Sequence, residues 1–224
     1  MEHRRITLFA GHYGSGKTNI AVNYAIALAQ EGKNVCIADL DIVNPYFRTK
    51  DSADRLAESG VTLISPHFAN TNVDLPALPA EAYRLVQDKS IYGVMDIGGD
   101  DRGAYALGRY VPSIKEENDY HMVFVANCYR PLTATPEEAM EVMREIEAAC
   151  GLKFTTIVNN SNLGPETTAE TVMDSLDYIQ KLSQLSGLPV FAHTAETAVA
   201  QNLTGIDNVF PLQLQEKYFD LPTI

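Results

Sequence analysis

Cysteine is scarce and scattered. Cys36, Cys128 and Cys150 show no C-x-x-C spacing, which speaks against a disulfide framework, a zinc module or a cysteine-held iron–sulfur cluster. Basic residues are few as well: 17 Lys and Arg stand against 29 Asp and Glu, a formal net charge of −12. A surface of that sign repels nucleic acid and anionic lipid unless a basic patch offsets it. The densest basic cluster is only His3-Arg4-Arg5. Long apolar runs are missing too, and no stretch approaches the roughly 20 residues of a membrane-spanning helix. The charged start Met1–Arg5 and the brief apolar run after it do not read as a signal peptide. The expectation is a cytoplasmic protein that engages neither nucleic acid nor membrane. With no internal repeat or low-complexity linker, 224 residues of 46% hydrophobic content suit one α/β domain over 1–224.

Against this background one motif stands out. Gly11-His12-Tyr13-Gly14-Ser15-Gly16-Lys17-Thr18 spells G-x-x-x-x-G-K-T. It follows the apolar run Ile6–Ala10, which reads as a strand, and precedes Asn19–Ala29, which reads as a helix. In that context the pattern predicts a phosphate-binding loop. The glycines let the backbone curl so that amide N–H groups face an anion, and the helix N-terminus adds partial positive charge. Residues Gly11 to Thr18, with Asn19 in the same helical turn, are the nucleotide-contact candidates. Lys17 is placed for the β- and γ-phosphates, and the Thr18 hydroxyl for Mg²⁺.

The rest of the chain alternates. Strands are expected at Asn34–Asp39, Val61–Ile64, Ile91–Asp96, Tyr120–Ala126, Phe154–Val158 and Leu188–Ala192. Helices are expected at Ser52–Ser59, at Ala80–Gln87, from Thr135 to about Cys150 with Gly151 as stop, and as one long helix over Thr167–Ser186. A loop with three prolines spans Pro66 to Pro79, and the tail from Asn202 is apolar but poorly periodic. Such alternation predicts a three-layer fold, a mostly parallel sheet of about seven strands covered by helices on both faces. Ligands of such sheets bind beyond the carboxyl ends of the strands, and each polar motif here follows a strand.

Asp39-Leu40-Asp41 ends the second strand, and carboxylates at i and i+2 share one side of an extended chain. Asp41 is the candidate to hold an attacking water or the outer shell of Mg²⁺. Asp96-Ile97-Gly98-Gly99 ends the fourth strand in the form of a Walker B segment, so Asp96 is the candidate to bind Mg²⁺ through water. Asp100-Asp101-Arg102 reads as part of a switch loop or as a solvated turn. Asn159-Asn160-Ser161-Asn162 follows the sixth strand, where such sheets read the base. A guanine reader has N-K-x-D there; Asn160 and Asn162 stand at its Lys and Asp positions, which favours adenine. Arg130, after the fifth strand, reads either as a phosphate or partner contact or as an ordinary surface arginine.

Taken together, the loop 11–18, Asp39-x-Asp41, Asp96-x-Gly98-Gly99 and the Asn159 region resemble the MinD/ParA/CobQ/CobB-type P-loop family with its deviant Walker A motif, over nearly the whole chain. The stretch 39–48 also resembles a bacterial subgroup known as nucleotide-binding. The resemblance implies bound ATP and Mg²⁺, a hydrolysis-linked role for Asp41, a Walker B role for Asp96 and base contact by Asn159. One position departs: the family's signature lysine follows the first loop glycine, where this chain has His12. In partitioning ATPases that lysine reaches across a homodimer to the partner's phosphates, and a neutral His supplies no such permanent charge. A homodimer therefore stays an open alternative.

Three functions are consistent with these residues. One is a slow Mg-ATPase whose nucleotide state switches loops 41–50 and 97–103 and so regulates a protein partner. Another is an ATP-dependent synthetase or kinase for a small metabolite, similar to dethiobiotin synthetase, with loop 65–79 and its His67, Asn70, Asn72 and Asp74 at the substrate. The third is a nucleotide-binding module without significant hydrolysis.

Overall fold

The computed structural model describes residues 3–40, 49–64, 80–98 and 107–215. Asp41 and the loop to 48, the loop 66–79 with its four candidate substrate residues, Gly99 to Arg102, and the tail beyond 215 lie outside these residues.

Eight strands alternate with helices in the described chain: β1 Ile6–Ala10, α1 Lys17–Gln30, β2 Val35–Leu40, α2 Ala53–Glu58, β3 Thr62–Ile64, α3 Arg84–Gln87, β4 Tyr92–Ile97, α4 Val111–Glu117, β5 Tyr120–Ala126, α5 Pro136–Cys150, β6 Thr156–Asn159, α6 Ala169–Asp174, α7 Leu176–Ser186, β7 Val190–Glu196, α8 Thr197–Ala200 and β8 Val209–Leu212. A 3-10 turn at Thr49–Ser52 leads into α2. The strands form one sheet in the order β3-β2-β4-β1-β5-β6-β7-β8, and every pairing is parallel. A sheet buried on both faces needs strands apolar on both faces. β1 meets this with Ile6, Leu8 and Ala10 on one side and Phe9 on the other.

Two apolar layers flank the sheet. On one face α1 packs with Leu56 of α2 and Leu212 of β8 around Phe9. On the other, Leu85 of α3, Ile114 of α4, Val142 and Ile146 of α5, and Ile179 and Leu182 of α7 cover Ile6, Leu8 and Phe124. Local signals set the ends of α5. The Thr135 hydroxyl accepts from Glu138 N–H at 3.2 Å, the Glu138 carboxylate accepts from Thr135 N–H at 2.9 Å, and Gly151 closes the helix at φ 73°.

Besides the short helices α4 and α8, which the sequence reading did not include, three elements differ from it. The sheet has eight strands, because Val209–Leu212 in the poorly periodic tail adds a parallel edge strand. Four residues with an internal Pro211 carry no period, and an edge position tolerates the missing N–H. The long helix expected over Thr167–Ser186 is two helices meeting at Ser175, whose Oγ donates to the Val172 carbonyl at 2.6 Å and accepts from Asn159; such side-chain bonds compete with the helical ladder. β7 runs on to Glu196 because it pairs with β8 beyond the end of β6.

In strand order, β1 lies between β4 and β5. Chain leaving β1 crosses to β2 on one side, and later chain fills the other side from β5 onward. The crevice of an open parallel sheet forms at the carboxyl ends where this reversal occurs, which is where the loop 11–18 emerges.

Candidate functional site

The loop between Ala10 and Lys17 is tied into the fold at both of its outer glycines. A Cβ on Gly11 would lie 2.6 Å from the Val125 carbonyl oxygen of β5, so only glycine lets the chain leave β1 this close to its neighbour. Gly16 has φ 88°, and a Cβ there would lie 2.2 Å from Asn160 Nδ2. Between them the Ser15 N–H donates to the His12 carbonyl at 3.1 Å, and Ile20 N–H takes up the Gly16 carbonyl at 3.3 Å. His12 is half-buried with Nδ1 3.0 Å from the Tyr13 carbonyl. Tyr13 and Gly14 are exposed.

α1 begins at Lys17 with no side chain capping its N-terminus and no acidic residue in its first turn. The first N–H groups of a helix have no partners within it, so this end offers donors and positive potential to an anion. Lys17 and Thr18 are buried in that turn, and among the described residues the buried Ser15 Oγ has no hydrogen-bond partner. A cradle that a Cβ would fill, an uncapped helix end and a partnerless buried hydroxyl together fit a polyphosphate. Asn19 sits in the same turn, but its side-chain oxygen accepts from Gln215 N–H at 3.0 Å, which ties α1 to the C-terminal segment.

Asp96 is fully buried at the end of β4. Its register partners are Phe9 on β1 and Asp39 on β2. Residues in register share a face, and Phe9 packs against α1, so both carboxylates are on the side of the sheet that carries Lys17 and Thr18. Thr49 Oγ1 donates to Asp96 Oδ2 at 3.1 Å. Among the described residues no group of three His, Cys, Asp or Glu side chains could hold a metal unaided. The donor set of one hydroxyl, nearby carboxylate and the phosphates of a ligand is the kind Mg²⁺ uses.

Beyond β6 the adjacent asparagines do different things. Asn159 is buried; its Nδ2 donates to Ser175 Oγ at 2.8 Å and lies 3.2 Å from His193 Nδ1, while its Oδ1 accepts from Ser161 N–H at 3.2 Å. Burial pushes the His193 pKa down. Asn160 points the other way: Nδ2 donates to the Ser15 carbonyl at 2.7 Å, and Oδ1 accepts from Thr194 Oγ1 at 2.7 Å. Asn162 turns back on its own loop, donating to the Asn160 carbonyl at 2.7 Å and accepting from Gly164 N–H at 3.1 Å. Asn160 and Arg130 bond directly to the loop 11–18, Arg130 through Nε, which donates to the Gly14 carbonyl at 3.1 Å; Thr194, which holds Asn160, and Thr49, which holds Asp96, were not legible in sequence. The signal for Asn160 was present in the Asn-Asn pair, but not which of the two faces the loop. Burial raises the pKa of each of the three cysteine thiols, so none is a ready thiolate.

The family model described as the CobQ/CobB/MinD/ParA nucleotide-binding domain matches residues 6–191. The chain belongs to this family. No curated protein matches it. The solved structures similar to this family member include the signal recognition particle receptor FtsY from Elizabethkingia anophelis, with 19% identity and a TM-score of 0.52, over 86% of this chain and 59% of that one. The cell division protein FtsY from Thermotoga maritima gives 16% identity and a TM-score of 0.58, over 85% and 61%. The signal recognition particle 54 kDa protein from Aeropyrum pernix, solved with GDP, gives 15% and 0.55, over 86% and 41%. The chain therefore spans about three fifths or less of the length of these proteins, and the likeness is one of fold. It is the fold of P-loop nucleotide-binding proteins, as the family match independently indicates. No helix among the described residues is long and apolar enough to cross a membrane.

Proposed function

We propose that this family member is a single Mg-ATP-binding domain with slow ATPase activity, whose nucleotide state is read by a protein partner. The observation that carries the reading is the cradle itself: an uncapped α1 N-terminus presenting buried Lys17 and Thr18 beside a partnerless Ser15 Oγ. In this reading Lys17 neutralises β- and γ-phosphate charge and the Thr18 hydroxyl ligates Mg²⁺, which would lower the charge on the transferred phosphoryl group. Asp96, whose carboxylate accepts from Thr49 Oγ1, would help hold the metal through water. Asp41, outside the described residues, enters by family resemblance as the group that positions the attacking water. Adenine is favoured over guanine because the loop 159–164 contains no carboxylate to take two guanine N–H groups, although the solved structure with GDP shares the fold. Slow turnover follows from His12 at the signature-lysine position.

The test is calorimetry of ATP and GTP with Mg²⁺ on wild type and Lys17→Ala, alongside light scattering. The reading expects ATP to bind at least about tenfold tighter than GTP, and Lys17→Ala to lose about 2 kcal/mol or more, the scale of a charge-assisted contact to phosphate. Equal affinity in wild type and Lys17→Ala would refute the site.

A further inference from the structure

A phosphate loop has to turn its amides inward, so its carbonyls must find donors elsewhere. In this chain the donors can be traced. Ser15 N–H takes the His12 carbonyl, Ile20 N–H the Gly16 carbonyl, and Asn160 Nδ2 the Ser15 carbonyl. The Gly14 carbonyl, on the exposed rim, is taken by Arg130 Nε at 3.1 Å from the loop that follows β5. This is the one of the four donors that is charged, and charged donors make the stronger bonds. Among the described residues Arg130 has no acidic partner.

The segment carrying Arg130 is itself held on both sides. Arg130 N–H donates to the Asn127 carbonyl at 3.3 Å, and Thr133 N–H donates to the Arg130 carbonyl at 3.3 Å. Thr133 Oγ1 donates to the Asn127 carbonyl at 2.8 Å. The buried Asn127 side-chain oxygen accepts from Tyr129 N–H at 3.0 Å and Asn162 N–H at 3.3 Å, which joins this segment to the loop after β6. Within it Leu132 is held at φ 65° while 60% exposed. A leucine stays in the left-handed region only where its surroundings over-determine the backbone. The chain accepts that strain in the segment that delivers Arg130 to the phosphate loop.

We propose that Arg130 is a positioning residue of the phosphate loop: its Nε fixes the peptide plane between Gly14 and Ser15, and thereby sets the cradle for the di- or triphosphate of a nucleotide. The proposal rests on the nucleotide-binding reading above, but the loop geometry can be measured without nucleotide. It separates two roles of the side chain. Glutamine places Nε2 three carbons from Cα's first side-chain bond, at the position of the arginine Nε, and keeps the donor without the charge. Lysine has a methylene at that position and keeps the charge without the donor.

The experiment compares wild type, Arg130→Ala, Arg130→Gln and Arg130→Lys in two measurements. The first is the affinity for ADP and ATP with Mg²⁺; the second is amide hydrogen exchange of residues 14–18 in the nucleotide-free protein, with β1 and β5 amides as the measure of intact folding. Arg130→Ala and Arg130→Lys are expected to weaken ADP and ATP alike, by about tenfold, the loss of one hydrogen bond that orders the loop, and to speed exchange at 14–18 but not in β1 or β5. Arg130→Gln is expected to restore most of both losses. Rescue by lysine instead of glutamine, a loss confined to ATP, or unchanged exchange at 14–18 in Arg130→Ala would each overturn the proposal. If wild type bound neither nucleotide, the nucleotide-binding reading would fail, and the exchange arm would still decide what Arg130 does to the loop.

Discussion

Asn160 and Gly16 fit each other so closely that a single added carbon would break the fit: a Cβ on Gly16 would sit 2.2 Å from Asn160 Nδ2, the atom that donates to the Ser15 carbonyl at 2.7 Å. The second glycine of the motif therefore answers to a residue 144 positions away in sequence as well as to its own φ of 88°. Asn160→Ala is expected to leave the Ser15 carbonyl without this donor and the Thr194 hydroxyl with only the Asn159 carbonyl at 3.2 Å. Nucleotide affinity should fall about tenfold, from one lost hydrogen bond and a less ordered loop. Titration calorimetry on the variant reads this directly, and an unchanged dissociation constant would remove Asn160 from the site.

The Mg²⁺ assignment depends on Asp96 as a charge rather than as a hydrogen-bond acceptor. Asp96→Asn keeps the volume and an oxygen for Thr49 Oγ1, which now lies 3.1 Å from Oδ2. It is expected to abolish most of the Mg²⁺ dependence of nucleotide affinity, shrinking a ratio of about tenfold between Mg²⁺ and EDTA to about twofold. The same ratio in both proteins would show that the metal is held elsewhere.

At the opposite end of the sheet, stability should depend on pH through Glu117. Arg5 donates to both Glu117 carboxylate oxygens and, through Nη1, to the carbonyls of Leu85 at 2.8 Å and Ile91 at 2.9 Å. The Arg5 guanidinium beside it, with help from Lys89, holds the Glu117 carboxyl below the usual carboxylate range against the opposing effect of burial. A folded pKa below the unfolded one means that the stabilisation is present above the unfolded value and is lost as pH falls through the folded value. Urea midpoints measured downward from pH 6 should fall once pH drops below about 4.3, the ordinary glutamate value, and Glu117→Gln should flatten that limb. Arg5→Met is expected to cost about 2–4 kcal/mol at neutral pH, because it leaves the partly buried Glu117 carboxylate with Lys89 alone and takes the donor from the Leu85 and Ile91 carbonyls; a cost under about 1 kcal/mol would contradict this.

The C-terminal segment is clamped to the helix that follows the phosphate loop. Asn23 Oδ1 accepts from Gln213 N–H at 2.9 Å and Arg55 Nη2 at 2.8 Å, while its Nδ2 donates to the carbonyls of Asn19 at 2.8 Å and Gln213 at 3.0 Å. Asn23→Ala should destabilise by about 1–2 kcal/mol, since it removes several part-buried hydrogen bonds, while the Gln213 carbonyl keeps only Arg55 Nη1 at 2.9 Å. Native-state hydrogen exchange should show β8 opening more readily. Equal protection of Val209–Leu212 in both proteins would mean that the sheet alone holds the strand.

How much was legible in the chain differs by element. The loop 11–18 and the N-terminus of α5 could be read because everything that shapes them lies within a few consecutive residues: glycines and a lysine in one case, Thr135, Pro136 and Glu138 in the other. Parallel strands buried on both faces announce themselves as apolar runs. β8 did not, being four residues long with a proline inside. The break at Ser175 was hidden because the hydroxyl that splits the helix is held by Asn159, from a different strand.

The phosphate-loop motif, the alternation that makes a parallel sheet, and Asp96 as a carboxylate at a strand end are all written in contiguous residues and local backbone preference, so the chain alone carries them. Which neighbour serves the site depends on packing. At the end of β6 one step along the chain reverses the side to which a side chain points. Asn159 therefore turns to Ser175 beneath the loop, and Asn160 turns to Ser15. The strand order then places β5 beside β1 and β6 beside β5, which brings Arg130 and Asn160 onto a loop more than a hundred residues away in the chain. No local pattern encodes a contact of that separation; the packing of the sheet creates it.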